Sequence, residues 1–203
     1  MAGKPGTFSI LAISENPKLV GVAVASGSTL VGARVPHAKP GVGAVATQAY
    51  TNIAYGVEGL RLLEMGFSPA EVLNKMLAED SERELRQVAF IDFVGRKAVF
   101  TGSNVPWFRG EVVGEKYIVL GNFLKNSMVL KSMAVRFENS SGDLALQMAE
   151  ALRAGSESGG DKRGEKSAAL IVVSNKKVEV NLRVDFHENP VKELLRQLET
   201  GLS

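Results

Sequence analysis

The chain has no cysteine among its 203 residues. That absence excludes a disulfide framework, a thiolate nucleophile and any cysteine metal site. Histidine is nearly missing as well. His37 and His187 are too few to build a histidine metal centre, and no metal or cofactor is expected. Neither charge sign dominates: Lys+Arg number 24 against 22 Asp+Glu, a formal net charge of +2. So small a surplus gives no argument for nucleic acid or an anionic membrane as partner. Long hydrophobic runs are lacking too. The apolar run from Phe8 to Ile13 is shorter than the core of a secretion signal, and no small-residue cleavage motif follows it. No stretch reaches the length of a membrane span. Asn139-Ser140-Ser141 matches a glycosylation sequon, which carries no weight without an export signal, and a cytoplasmic location is the expectation. What is present is ordinary for a soluble globular protein, at 45% hydrophobic and 23% charged residues, and the length suits one compact domain with a real core.

Apolar patterning predicts strands over 7–14 and 19–26, joined as a hairpin through Glu15-Asn16-Pro17. A further β-like run covers 42–49. Helical spacing covers 56–65 and 69–77, the second helix opened by Ser68 as cap and Pro69 in its first turn. Runs over 88–94 and 97–101 flank Gly95-Arg96 as another hairpin, and 112–120 reads as one strand interrupted by Gly114. Helices are expected over 127–137 and 143–154. A last hairpin spans 167–174 and 178–186 around Asn175-Lys176-Lys177, and Asn189-Pro190 opens a closing helix to about Leu198. Adjacent hairpins favour antiparallel pairing, with helices grouped onto sheet faces. Two stacked sheets with helices outside them fit this order, and so does a simpler α+β sandwich.

Two glycine-rich stretches stand out. Gly41-Val42-Gly43-Ala44-Val45-Ala46 has the spacing of a dinucleotide fingerprint, but that motif needs a strand before it and a helix opening within it. Here a β-like run continues from it, so it reads as a tight turn entering a strand. The second stretch, Ser158-Gly159-Gly160-Asp161-Lys162-Arg163-Gly164-Glu165-Lys166-Ser167, joins a helix to a strand. Its glycines let backbone N–H groups turn toward an anion or a carbonyl oxygen. Its composition equally permits a solvated loop. Trp107, between Pro106 and Phe108, reads as packing.

Thr7 follows Gly6 and opens the first strand. Threonine is a common strand starter, and that is the ordinary reading. A cut between Gly6 and Thr7, however, gives Thr7 a free α-amine beside its own hydroxyl. With a pKa of roughly 7.7–8.0, that amine can act as the base for the hydroxyl nucleophile.

The residues then point to a family. The chain resembles, nearly end to end, the prokaryotic family known as domain of unknown function 1028. The landmarks are Thr7-Phe-Ser-Ile, Gly21-Val-Ala-Val-Ala-Ser26, Val35-Pro36, the Gly41–Asn52 run, Tyr55-Gly56, Arg86-Gln87, Thr101-Gly102-Ser103, Pro106-Trp107, Gly121-Asn122 and the Gly159–Leu170 stretch. That family looks like a branch of the N-terminal-nucleophile hydrolases, and the resemblance implies an α+β fold, a four-layer αββα sandwich with largely antiparallel sheets. Residues 1–6 are then an N-terminal extension or short propeptide, and 7–203 a single domain. Family members typically carry the threonine directly after the initiator methionine, whereas Ala2 to Gly6 intervene here. Exposure of Thr7 therefore needs an internal cut, and the Gly6-Thr7 junction resembles the autocleavage site of proteasome-like relatives.

The resemblance also implies roles. Thr7 is the nucleophile. Thr47 and Gln48 fall where relatives build an oxyanion hole. Asp161, Arg163 and Ser167 would orient Thr7 or bind a charged substrate end. Lys39, 32 residues after Thr7, has the spacing of the lysine that relatives hold near the nucleophile. With Thr47, Asn122 and Gly160 it makes up the expected substrate-binding set. The segment Gly21-Val-Ala-Val-Ala25 lacks the aspartate of relatives, and Lys166 stands where they often have glutamine. The expected activity is hydrolysis of an amide bond in a small molecule or peptide. The competing class is a binding or scaffold protein that keeps the fold without catalysis. A homodimer or higher homo-oligomer is left open. Thr7 and the Gly159–Ser167 loop should converge, and residues 1–6 should be removed or mobile.

Overall fold

The computed structural model describes residues 6–201. Its first hairpin forms as the turn predicts: β1 (Thr7–Glu15) and β2 (Lys18–Ser26) pair without a slip from Glu15↔Lys18 to Thr7↔Ser26. Ile and Leu fill β1 and Val and Ala fill β2, side chains that suit a pleat buried on both faces. Then come β3 (Pro36–Lys39), β4 (Gly43–Ala49), α1 (Ala54–Glu64), α2 (Pro69–Glu79), β5 (Arg86–Asp92) and β6 (Lys97–Thr101). The second half carries β7 (Gly110–Val113), β8 (Tyr117–Asn122), α3 (Met128–Glu138), α4 (Leu144–Glu157), β9 (Ser167–Val173), β10 (Val178–Val184) and α5 (Pro190–Thr200). Among the described residues the fold is mixed α+β with antiparallel sheets and five α-helices. Ser68 caps α2 with a reciprocal bond from Glu71, and Asp143 caps α4 through Ala145 N.

One sheet has six strands in the order β10-β9-β2-β1-β8-β7, the other four in the order β3-β4-β5-β6. Alternation along β1 divides its side chains between two cores. Phe8, Ile10 and Ala12 join Met133, Met148, Leu152 and Leu194 from α3, α4 and α5. Leu11 and Ile13 join Val22, Val24, Ile118 and Leu120 of their own sheet and Ala44, Ala46, Ala89 and Ile91 of the smaller one. There the alanines leave room for the bulkier side chains opposite. A third core sets Val45, Val88 and Phe90 against Tyr55, Leu63, Val72 and Leu73 of α1 and α2.

Two expectations change. The single strand over 112–120 is two strands, β7 and β8, because Gly114 is the turn between them: its N–H donates to Tyr117 O at 3.0 Å. A Cβ there would stand 2.2 Å from the Tyr117 ring, which is why the position needs glycine. The short strand β3 is unexpected, since Pro-His-Ala-Lys has no alternation and lies half-buried at a sheet edge. Among the described residues, no helix is long and apolar enough to cross a membrane, and no cluster of His, Asp and Glu is arranged to hold a metal.

Candidate functional site

Strand register places four polar residues in one row across the larger sheet. Thr7 pairs with Ser26 on β2 and Asn122 on β8, and Ser26 pairs with Ser167 on β9. Residues opposite one another across a ladder point to the same face. That face looks toward the smaller sheet, as Ser9 shows two positions on by donating to Gln48 Oε1 of β4 at 2.6 Å. All four are buried, and Thr7 at 6% is the most exposed of them.

Two members of the row, Thr7 and Ser26, meet at the carbonyl of Gly6. Ser26 Oγ donates to Gly6 O at 2.6 Å, Arg163 Nη2 at 3.0 Å and Thr7 Oγ1 at 2.5 Å. Thr7 Oγ1 and Ser26 Oγ are themselves 3.1 Å apart. Donors on a carbonyl oxygen withdraw electron density from its carbon, and one of these donors is a guanidinium, so the bond is charge-assisted. The residue-6 carbonyl is therefore polarised beside a hydroxyl. Gly6 is buried, which contradicts mobility at that residue, and the rest of the 1–6 expectation lies outside the described residues.

Arg163 is held in place by Asp161. The Asp161 carboxylate accepts Arg163 N at 2.9 Å, Nε at 3.0 Å and Nη2 at 2.9 Å, and Gly27 N at 2.8 Å from the end of β2. Its side chain is fully buried, while that of Arg163 is 22% exposed. The loop is anchored as well as charged: Asp161 bridges to Leu124, Lys162 N donates to Phe123 O and Lys125 N to Gly160 O. Glu165 ties it from behind by accepting from Asp161 N and Ser156 Oγ. The solvated-loop reading therefore gives way to an anchored one. The Arg163 and Lys162 cations lie 5.8 Å from the centre of the Phe123 ring.

Behind Thr7, amide side chains fill the space between the sheets. Gln48 Nε2 donates to Gln87 Oε1 at 2.7 Å, with Thr7 O a weaker partner at 3.4 Å. Asn122 Nδ2 donates to the same Gln87 oxygen at 3.0 Å, and Gln87 Nε2 reaches Gly121 O, Gly110 O and Thr101 Oγ1. Asn122 Oδ1 is buried without a partner. An unsatisfied buried acceptor costs about 1–3 kcal/mol, so this atom is an uncompensated polar group beside Thr7.

The structure brings Thr7, Gln48, Asn122, Asp161, Arg163 and Ser167 to one end of the sheets. It does not bring Lys39 there. β3 runs antiparallel to β4 and sets Lys39 opposite Gly43, at the far end of that strand from Gln48, where its amine pairs with Glu64 at 2.6 Å. Thr47 faces the other way, because neighbouring residues on a strand point to opposite sides. Its hydroxyl donates to Asn52 O at 2.9 Å. Ser167 is present but otherwise engaged, donating to Ser28 O at 2.6 Å and accepting Val31 N, so it fixes the loop after β2. Gly160 serves the loop: its N–H donates to Gly155 O. Gln48 does not reach the Gly6 carbonyl, where Ser26 stands instead. Ser26 and Arg34 escaped the sequence reading. Burial first, and the nearby charge of Arg163 second, lower the Arg34 guanidinium below its ordinary value, and its Nε is buried without a partner.

No curated protein matches the chain. A crystal structure of a Silicibacter pomeroyi protein assigned to the DUF1028 family is 32% identical, covers 98% of this chain and 90% of its own, and superposes with a TM-score of 0.90. Anbu (ancestral beta-subunit) from Yersinia bercovieri is 14% identical over 97% of this chain and 94% of its own, at a TM-score of 0.45, a likeness too loose to bear on the fold. The model of a family of unknown function, DUF1028, matches residues 7–194, and the chain belongs to that family.

Proposed function

We propose that this protein is an amide hydrolase of the N-terminal-nucleophile type, in which Thr7 becomes the first residue after a cut at Gly6. The observation that carries the reading is the Gly6 carbonyl, gripped by Ser26 Oγ and Arg163 Nη2 with the Thr7 hydroxyl against it. The three stacked cores support an αββα sandwich of that type, with Thr7 heading a central strand. The family match that begins on Thr7 agrees with this reading.

In the uncut chain Thr7 Oγ bonds to the Gly6 carbonyl carbon. Its proton passes to Ser26 Oγ, 3.1 Å away, as Ser26 gives its own proton to the carbonyl oxygen. Arg163 stabilises the charge on that oxygen during the transfer. Collapse breaks the Gly6–Thr7 C–N bond, the nitrogen takes up a proton, and Gly6 remains as an ester on Thr7 Oγ. Water hydrolyses the ester, releasing the Gly6 carboxylate and restoring the hydroxyl. The new α-amine then serves as base for amide substrates, and Ser26 and Arg163, relieved of Gly6, meet the substrate carbonyl. Asp161 positions Arg163.

Intact-mass spectrometry of freshly purified wild type, Thr7→Ala and Thr7→Ser tests this. A cut at Gly6 is expected in wild type, slower in the serine variant and absent from the alanine variant. Turnover of an amide library should fall by several orders of magnitude in the alanine variant, with the fold retained at a cost of about 1–3 kcal/mol. An alanine variant that turns substrate over at the wild-type rate leaves Thr7 as a strand residue and refutes the nucleophile reading, whereas a wild type that stays uncut and turns over no amide belongs to the binding-or-scaffold class.

A further inference from the structure

We infer that the site takes acyl groups with no side chain on the carbon next to the carbonyl, glycyl groups above all; this rests on the nucleophile reading of Thr7. In self-cleavage the acyl group carried on Thr7 Oγ is that of Gly6. Every later acyl-enzyme carries its acyl group on the same oxygen. The space around Gly6 Cα therefore measures the space for a substrate α-carbon.

That space is closed. A Cβ built on Gly6 stands 2.3 Å from Arg163 Nη2, 2.5 Å from Asp161 Oδ2 and 2.8 Å from Arg163 Cζ. The end of an arginine ordinarily swings aside at little cost, but this one is locked. Asp161 holds it by Nε and Nη2, and the carboxylate is itself held by Arg163 N and Gly27 N. Nor can the pair retreat as a unit, because the backbone at Gly27 closes the other side: a Cβ there meets Asp161 Oδ1 at 2.7 Å. The ion pair lies between two glycines, with side-chain room on neither side. The backbone agrees, since Gly6 has φ +147°, a conformation that L side chains rarely adopt. Substrate turnover balances as self-cleavage does. Thr7 Oγ bonds to the acyl carbon, the C–N bond breaks, and the amine leaves with the hydroxyl proton. Water then converts the ester to a free acid and regenerates the hydroxyl.

The test starts from the full-length chain as wild type, Gly6→Ala and Gly164→Ala. Gly164, next to Arg163, has φ +76°, also a conformation that L side chains rarely adopt, and a Cβ added there meets nothing within 4 Å, so its alanine variant carries positive-φ strain beside the same arginine without the clash. Intact mass follows the cut at Gly6. The cut wild type is then offered glycyl, acetyl and L-alanyl p-nitroanilides. Gly6→Ala should be cut about 100-fold more slowly than wild type while Gly164→Ala keeps pace, and the L-alanyl amide should have a kcat/KM about 100-fold below the glycyl one. Equal kcat/KM for the alanyl and glycyl amides overturns the inference and leaves the hydrolase reading standing, as does equal slowing of the two alanine variants. An uncut wild type that turns over none of the three amides removes the hydrolase reading and this one with it.

Discussion

Replacing Ser26 with alanine removes one oxygen from the centre of the site and leaves the strand in place. That oxygen donates to Gly6 O at 2.6 Å, stands 3.1 Å from Thr7 Oγ1 and accepts Ser28 N at 3.1 Å. Ser26 is 1% exposed, so bulk water does not take over its bonds. Two effects of different size follow. Loss of buried hydrogen bonds should destabilise the fold by about 1–3 kcal/mol, seen as a lower denaturant midpoint with an unchanged slope. Loss of a donor to a carbonyl that becomes an oxyanion raises the barrier by about 2.7–4 kcal/mol, a factor of about 10²–10³ in rate. Arg163 Nη2 remains on the same oxygen, and the Thr7 hydroxyl that also donates to it can pass its proton there without the Ser26 relay, so the cut at Gly6 should slow by at least that factor and still go to completion. The assay is an intact-mass time course at a temperature where both proteins are fully folded by circular dichroism. A variant that melts earlier yet is cut at the wild-type rate shows Ser26 to be purely structural, and refutes the donor argument.

Asp161→Asn keeps the shape of the carboxylate but not its charge, and should cost about 3 kcal/mol by denaturant unfolding, the low end for breaking a buried pair because the Arg163 side chain keeps 22% of its exposure; a change under about 0.5 kcal/mol would show that the pair holds nothing. Glu150 supplies a pH dependence. The Arg153 guanidinium hydrogen-bonded to it, helped by Arg136, holds its carboxyl below the ordinary value of 4.5 against the opposing effect of burial. A depressed folded pKa contributes stability that is present above pH 4.5 and lost as pH falls through the folded value. The Tm gap between wild type and Glu150→Gln should therefore be widest near neutral pH and close in acid, and a gap independent of pH would remove Glu150 from the linkage.

Most of the fold was legible because its elements carry strong local signals. The β1–β2 hairpin follows from two apolar runs around Asn16-Pro17, and the α2 start from Ser68-Pro69 with Glu71 three residues after the cap. Where legibility failed, the deciding contact was tertiary. Gly114 reads equally as a bulge or a turn until Tyr117 packs over it, and β3 is a strand only because β4 accepts it at an edge. The pairing of distant strands, such as β2 with β9, has no local signal at all.

The site was legible to the extent that register carries it. Counting back along the hairpin from Glu15↔Lys18 sets Ser26 opposite Thr7, so strand periodicity alone is enough to find this donor. The same periodicity separates Gln48 from Thr47, which must face opposite sides. Lys39 failed for the converse reason: 32 positions along a chain that reverses twice measure no distance in space, and its amine meets Glu64 instead. The orientation of the Gly6 carbonyl lay beyond any local reading. It is set by the φ of Gly6 and by Arg163, whose carboxylate partner Asp161 reaches across 134 positions to Gly27 N. A glycine at position 6 has no local requirement that a sequence could display. It is needed because a salt bridge from the far end of the chain occupies the place where its side chain would be.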